Sequence, residues 1–315
     1  MINAIHSRSF APTEKLPLEP GTYLYGQLEE RSSHMDVAEY PHVRFLKIEE
    51  SEDGLAFGWD KTGFLPKLAS SFLRLLDAVP AGKLYLDITG LSHSIWAPIL
   101  KFLIERKLDF LVIYVEPDDY SRTFSIDHGR IYDLSEKVRG MSPIPTFASF
   151  LGDEENFVFV PMLGFEGARF LYFLDLIDPI GDYVFPVIGV PGFCIEYPFF
   201  AYQANQLGLN KTKAWKRIIF ASADCPFALF YEMERVALEN SGLSMRIGLT
   251  GTKPHSLGAV LYRLVHPEKT ELLYDHPIRK QKRTSGIRQK HIYDVLSFLD
   301  GSEDTRTILK GGRLR

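Results

Sequence analysis

From Phe157 to Tyr274 the chain alternates between short apolar runs and segments with apolar residues at helical spacing, and this constrains the fold more than any other feature. An apolar run over Phe157–Leu163 precedes a helical pattern over Glu166–Ile177, and a second over Tyr183–Val190 precedes one over Pro198–Leu207. A third, Arg217–Ala221, feeds Pro226–Glu239, a fourth, Met245–Leu249, feeds Pro254–Leu264, and Glu271–Tyr274 supplies a fifth strand. Apolar runs of strand length between helical segments mark strands buried on both faces, because crossover helices cover a parallel sheet above and below. Each crossover is right-handed. The expected fold class is therefore α/β, with an open, doubly wound, mostly parallel sheet.

The first half follows the pattern less fully. It has one strand-helix-strand unit, Leu84–Ile88, Ser94–Arg106 and Phe110–Val115, preceded by runs over Val43–Ile48 and Leu55–Trp59 flanking the hairpin signal Asp53-Gly54. Helical spacing over Leu65–Leu76 ends at Pro80-Ala81-Gly82. Between Ser135 and Asn156 periodicity fails, at Pro143, Pro145 and the acidic cluster Asp153-Glu154-Glu155. A boundary there gives an N-terminal α/β half, 1–150, and a ligand-binding half with a basic C-terminal segment, 151–315. The halves share an echo: Ile88-Thr89-Gly90-Leu91-Ser92-His93-Ser94 and Leu249-Thr250-Gly251-Thr252-Lys253-Pro254-His255-Ser256 both read as strand end, Thr-Gly turn, and His-Ser at a helix start. Two Rossmann-like halves or chance likeness both account for it.

With 45% hydrophobic and 24% charged residues the chain has material for a buried core, which excludes disorder and a disulfide-stapled scaffold. A formal charge of -4 argues against a nucleic-acid binder that works through overall charge. Cys194 and Cys225 cannot form a disulfide framework or a thiolate metal site, and they suit a reducing compartment. Residues 1–15 lack the apolar core of a signal peptide, and no apolar run approaches the roughly 18 residues a bilayer crossing needs. The expectation is a cytoplasmic protein with no membrane partner.

Ligands of open α/β sheets bind beyond the carboxyl ends of the strands, so the strand-to-helix turns carry the candidates. In Thr250-Gly251-Thr252-Lys253-Pro254-His255, Gly251 admits close backbone approach, the Thr hydroxyls and Lys253 offer donors, and Pro254 suits a first helical position, which together favour an anion. A capped turn with a solvated lysine is the structural alternative. In Gly164-Phe165-Glu166-Gly167-Ala168-Arg169, Glu166 is placed to accept from ribose hydroxyls and Arg169 to meet phosphate, or the segment only starts a helix. A second site is read at Asp87, Thr89, Gly90 and His93, where Asp87 is either functional or a turn cap. Ser222-Ala223-Asp224-Cys225-Pro226 is explained by capping alone, with Asp or Ser as the cap.

Arg279, Lys280, Lys282, Arg283, Arg288 and Lys290 make a basic segment that can steer a nucleic acid or polyphosphate, or stay solvated. The aromatic run Tyr197-Pro198-Phe199-Phe200-Ala201-Tyr202 either stacks a base or starts a core-facing helix. Phosphate-loop, zinc-protease, serine-elbow and paired-cysteine motifs are absent. No motif demands a cofactor. The carboxylates Asp87, Glu116, Asp118 and Asp119 gather at strand ends and would hold a divalent metal only if the protein is an enzyme.

The run Leu249-Thr250-Gly251-Thr252-Lys253, followed by a helix of small residues, resembles the ligand-facing loop of CRISPR-associated Rossmann-fold (CARF) sensor domains, with one glycine where the fuller motif has two. The resemblance spans 157–274, and Gly164 to Arg169 sits where such domains place another ligand loop. CARF domains, and SAVED sensors built from paired copies, bind cyclic oligonucleotides in bacterial antiviral defence. The resemblance thus implies a non-catalytic, homo-oligomeric regulatory subunit signalling to a separate effector protein, with Gly164, Glu166, Thr250, Thr252 and Lys253 on the ligand. The rival reading is a metal-dependent nuclease or phosphodiesterase using Asp87 and Glu116, with His255 as acid-base group. A structural scaffold is the third.

Overall fold

The computed structural model describes residues 6–33, 35–125, 129–132, 134–148 and 156–301, so the acidic cluster Asp153-Glu154-Glu155 lies outside them. In chain order the main elements are β1 (Ser7–Phe10), β2 (Gly21–Tyr25), β3 (Val43–Glu50), β4 (Ala56–Trp59), β5 (Leu65–Pro66), α1 (Ala69–Ala78), β6 (Lys83–Asp87), α2 (His93–Glu105) and β7 (Phe110–Val115). There follow β8 (Phe157–Pro161), α3 (Gly167–Ile177), β9 (Val187–Gly189), α4 (Tyr197–Ala204), α5 (Gln206–Thr212) and β10 (Ile219–Ala221). The last of the described elements are α6 (Pro226–Glu239), β11 (Ser244–Gly248), α7 (Lys253–Val265), β12 (Thr270–Leu273), β13 (Lys290–Tyr293) and α8 (Val295–Gly301).

The fold is α/β and Rossmann-like, and it divides into two compact units. Residues 1–119, 144–146 and 284–315 form the first, and 120–143 with 147–283 form the second. The expected break at 150 is replaced by one near 119 and another near 283. The break near 283 reflects β13, which pairs antiparallel with both β7 and β1 and so joins the first unit, and the break near 119 accords with the pairing of Ser135–Val138 with Pro277–Arg279 in the second.

The sheet of the first unit runs β1-β13-β7-β6-β2-β3-β4-β5. Its centre, β7-β6-β2-β3, is parallel, and the hairpin strands β4 and β5 extend it antiparallel. Chain order reverses between β2 and β6. Helix α2 is buried on every side, with Ile95, Trp96, Ile99, Leu100 and Leu103 at 1% exposure or less. An all-round apolar helix of this kind belongs inside a core, where each large apolar side chain contributes about 1.5–3 kcal/mol.

In the second unit β8, β11 and β12 pair in parallel, β9 pairs parallel with β10, and bridges Phe159↔Val184 and Met162↔Val187 join β8 to the β9 segment. The order is β10-β9-β8-β11-β12, with the reversal between β8 and β11. Its core gathers Phe157, Phe159, Phe170, Phe173, Leu174 and Leu209.

Several local expectations shift. The helix read from Leu65 begins at Ala69, because Leu65–Pro66 pairs with β4 and Lys67 N–H donates to the Leu55 carbonyl. The strand read from Tyr183 is only Val187–Gly189, preceded by a 3-10 turn over Gly181–Tyr183; Pro186 has no N–H for a ladder bond. The helix expected over Pro198–Leu207 is two, α4 and α5, meeting at Asn205.

Candidate functional site

The two glycine-bearing turns of the second unit meet where strand order reverses. A Cβ on Gly164 would strike the Thr250 carbonyl oxygen, and one on Gly251 would press the Met162 side chain at 2.9 Å, so the β8 and β11 turns are packed backbone to backbone. A Cβ on Gly167 would strike the Ala204 carbonyl in the same way, which seats α3 against the end of α4. Asn205, 2% exposed, locks the corner by donating from Nδ2 to the Gly164 carbonyl at 2.7 Å.

Most side chains expected on a ligand are bonded within the protein. Thr250 donates to the Met162 carbonyl, and Thr252 donates to the Ala223 carbonyl at 2.7 Å while accepting from His255 N–H as the N-cap of α7. Glu166 accepts from the Leu134 amide at 3.1 Å and the Ser135 hydroxyl at 2.9 Å. Arg169 is bidentate to Asp275, Nε at 2.7 Å and Nη2 at 2.5 Å, and Asp275 is fully buried. His255, 2% exposed, lies 2.9 Å through Nε2 from the Ser222 carbonyl. Because a carbonyl only accepts, Nε2 carries the proton, and burial lowers this imidazole's pKa to about 4. Lys253 opens α7 at 6% exposure. The corner is thus a rigid backbone platform at a 13-residue helix start.

The first unit has a corresponding corner. A Cβ on Gly90 would strike the Gly26 carbonyl and one on Gly26 the Gly90 carbonyl, which brings the turns after β2 and β6 into contact. Asp87 is fully buried, accepting from the Tyr23 hydroxyl at 2.9 Å and the Thr89 amide at 2.8 Å. Burial, and then the neighbouring Asp87 charge, push the Tyr23 phenol well above its ordinary pKa. Thr89 Oγ1 accepts from Val115 N–H at 2.9 Å. His93, 3% exposed, begins α2 with its ring 5.3 Å from that of Trp96.

The carboxylates proposed for a metal are held by protein donors. Glu116, 3% exposed, lies 3.1 Å from His291 Nε2 and 3.5 Å from Arg288 Nε, and Arg288 also reaches Asp118 at 3.3 Å. Among the described residues, no group of three or more His, Cys, Asp or Glu side chains is arranged to hold a metal ion. On its other side His291 Nδ1 meets the Ser9 hydroxyl at 3.0 Å, giving a Ser9–His291–Glu116 line across β1, β13 and the end of β7. Sequence reasoning missed this line, because its members are 107 and 175 residues from Glu116 by position and only strand register aligns them.

The basic segment is built into structure. It contains the strands Pro277–Arg279 and Thr284–Ser285, and Lys290, in β13 and 6% exposed, donates to the Glu14 carbonyl at 2.9 Å. Lys282 sits at a left-handed turn position, φ 55°. Lys280 N–H donates to the Leu134 carbonyl and Arg283 carbonyl accepts from Ser121. In the aromatic run, Tyr197 is buried against Tyr120, Tyr132 and Phe165, whereas Phe199 is 74% exposed. The helix cap expected from Ser222 or Asp224 is Cys225 instead, since the Ser222 hydroxyl bonds the Asp224 carboxylate. No described helix is long and apolar enough to cross a membrane.

Comparison with protein-family models gives no match, and comparison with curated proteins gives none either.

Proposed function

We propose that the protein is a nucleotide-responsive regulatory subunit, without catalysis of its own, that binds a phosphate-bearing ligand at strand-to-helix turns and signals to a partner effector protein. The observation that carries this reading is the likeness of the two corners. In each unit a glycine-tight contact lies at the reversal of strand order, followed by an extended N-cap residue and a 13-residue buried helix: Ser92 before α2 and Thr252 before α7, both at φ -70°, ψ 158°. That likeness supports a doubly wound architecture of two Rossmann-like halves, the arrangement implied by the resemblance to paired sensor domains. In such a corner, backbone amides and the positive end of the helix supply the anion site, which leaves the threonine, glutamate and arginine side chains free to act as struts.

Under this reading Gly164, Gly251 and Lys253 face the ligand, Thr250, Thr252, Glu166, Arg169 and His255 fix the turns, and a ligand shifts the protein only by binding its two states unequally. A role in antiviral defence, a second protomer and a nucleic-acid contact through residues 279–290 belong to the same proposal.

The test is to titrate the full chain with cyclic oligonucleotides, with Mg2+ or Mn2+ present, while following both binding and turnover. Saturable binding without turnover, weakened at least tenfold in Lys253→Ala, is expected. Turnover abolished by Asp87→Ala would replace the proposal with the enzyme, and no binding would sink it.

A further inference from the structure

Strand β1 is the outer strand of the first unit's sheet, and Ser9 is an exposed residue on it. Register joins this serine to two buried groups. Ser9 lies opposite His291 in the β1–β13 pair, and His291 lies opposite Tyr114 in the β13–β7 pair. Residues opposite one another share a face of the sheet, and Glu116, two residues beyond Tyr114, returns to that face. The Glu116 amide extends the ladder by donating to the Gln289 carbonyl at 2.8 Å. The three side chains therefore meet in order, with Ser9 Oγ 3.0 Å from His291 Nδ1 and His291 Nε2 3.1 Å from Glu116 Oε2.

The line has a chemical direction. A carboxylate only accepts, so Glu116 fixes the His291 proton on Nε2 and leaves the lone pair on Nδ1. That lone pair receives the Ser9 hydroxyl proton. The imidazole is 0% exposed and packs beside the rings of Tyr114 and Tyr293, with centroids at 6.1 and 6.0 Å, which holds its orientation. Arg288 Nε lies 3.5 Å from the other oxygen of Glu116, Oε1, a second anchor for the carboxylate. A hydroxyl within hydrogen-bond reach of a base that a third group orients is the arrangement that activates a serine, and it is recognised by geometry rather than by fold or chain order. Here the base and its carboxylate are buried, and the exposed residue is the nucleophile.

We infer that Ser9 is a base-activated nucleophile and the position at which the chain takes up an acyl group from an activated carboxylic ester. The bond between Ser9 Oγ and the acyl carbon forms as the bond from that carbon to the leaving oxygen breaks. The Ser9 proton passes to His291 Nδ1 and from there to the departing oxygen. Glu116 is a positioning residue that acts through His291. One acyl group per chain is assigned, and no turnover. The line is in the other unit from the Gly164–Lys253 turns and stands whether or not those turns bind a nucleotide.

The test treats the full chain with p-nitrophenyl acetate, quenched in acid and mapped by peptide mass spectrometry, and in parallel with diisopropyl fluorophosphate, whose serine adduct water does not readily remove. Ser70, exposed in α1, is the internal reference. Ser9 should be labelled by either reagent roughly 100-fold faster than Ser70, the scale of general-base assistance. Its rate should rise with pH and level off once His291 is neutral, whereas an unassisted hydroxyl keeps gaining with hydroxide. That profile is read on the parent chain and needs no variant. Glu116→Gln keeps an acceptor for Nε2 but removes the charge that stabilises the protonated ring, and should slow Ser9 labelling by roughly tenfold or more. Ser9 labelled no faster than Ser70 by both reagents, a Ser9 rate that climbs with pH without a plateau, or full speed in Glu116→Gln would each overturn the assignment.

Discussion

Replacing His255 by Gln removes one titrating group from the core of the second unit while keeping a donor for the Ser222 carbonyl, and its effect on stability is set by pH. The imidazole is 2% exposed and has a folded-state pKa of about 4, against 6.5 in an unfolded chain. Above pH 6.5 it is neutral in both states and contributes no pH dependence. Below 6.5 the unfolded chain takes up a proton that the folded protein refuses, so stability falls with pH until about 4, where the folded imidazole also protonates. A gap of about 2.5 pH units at 1.36 kcal/mol per unit caps the loss at about 3 kcal/mol. Between pH 7.5 and 4.5 the loss is about 2.5 kcal/mol by the same linkage. Helix α7 is buried along its length, so hydrogen exchange of its amides reports opening of the unit. The opening free energy of the parent should drop between those two pH values by about 2.5 kcal/mol more than that of His255→Gln. The packing cost of the substitution is the same at both pH values and cancels. Equal drops in the two proteins would show that His255 is not held neutral by burial, and the reasoning would fail.

Tyr23→Phe leaves Asp87 Oδ2 without the phenol that serves it, and should cost about 1–3 kcal/mol in urea unfolding at neutral pH. Ultraviolet titration should count one fewer tyrosine held protonated above pH 10 in Tyr23→Phe than in the parent, because the folded Tyr23 phenol's pKa is raised and stability therefore declines as pH rises past 10. Asp275→Ala strands the Arg169 guanidinium in a buried position, and a loss of about 3–5 kcal/mol is expected, read as accelerated exchange in α3. Gly90→Ala and Gly164→Ala drive a methyl group into a facing carbonyl, and each should destabilise its unit by about 1–3 kcal/mol or more, with exchange quickening in α2 for the first and in α7 for the second.

The fold was legible wherever the determining information is local. Apolar runs such as Phe110–Val115 and Phe157–Pro161 are buried at every position, and the patterns that precede and follow them are helices α2 and α3. Pairing partners were not legible. Lys290–Tyr293 reads as the end of a basic loop, yet it joins β7 because Ile292 and Tyr293, at 1% and 0% exposure, are buried there. The charged end of Lys290 meanwhile meets the Glu14 carbonyl. A strand recruited from 175 residues away leaves no periodic trace, so the return of residues 290–293 to the first unit could not be read from the sequence.

The site residues divide along a similar line. That Gly164 and Gly251 sit on strand-to-helix turns was legible from the alternation, and the pairing of β8 with β11 makes those turns neighbours. Which way a turn's polar side chain points does not follow. A threonine hydroxyl at a strand end can meet a ligand or the carbonyl of the next turn, and the choice depends on whether that carbonyl already has a partner. The Met162 and Ala223 carbonyls take Thr250 and Thr252, and the Ser222 carbonyl takes His255. Those bonds spare the corner the cost of buried, unpaired acceptors. At the matching corner of the first unit, Ser92 stands where Thr252 does but makes no capping bond, and a cavity opens beside it. Two corners with the same backbone thus differ in whether the hydroxyl at the helix start is already satisfied, a difference that the shared Thr-Gly and His-Ser pattern of the two turns gives no hint of.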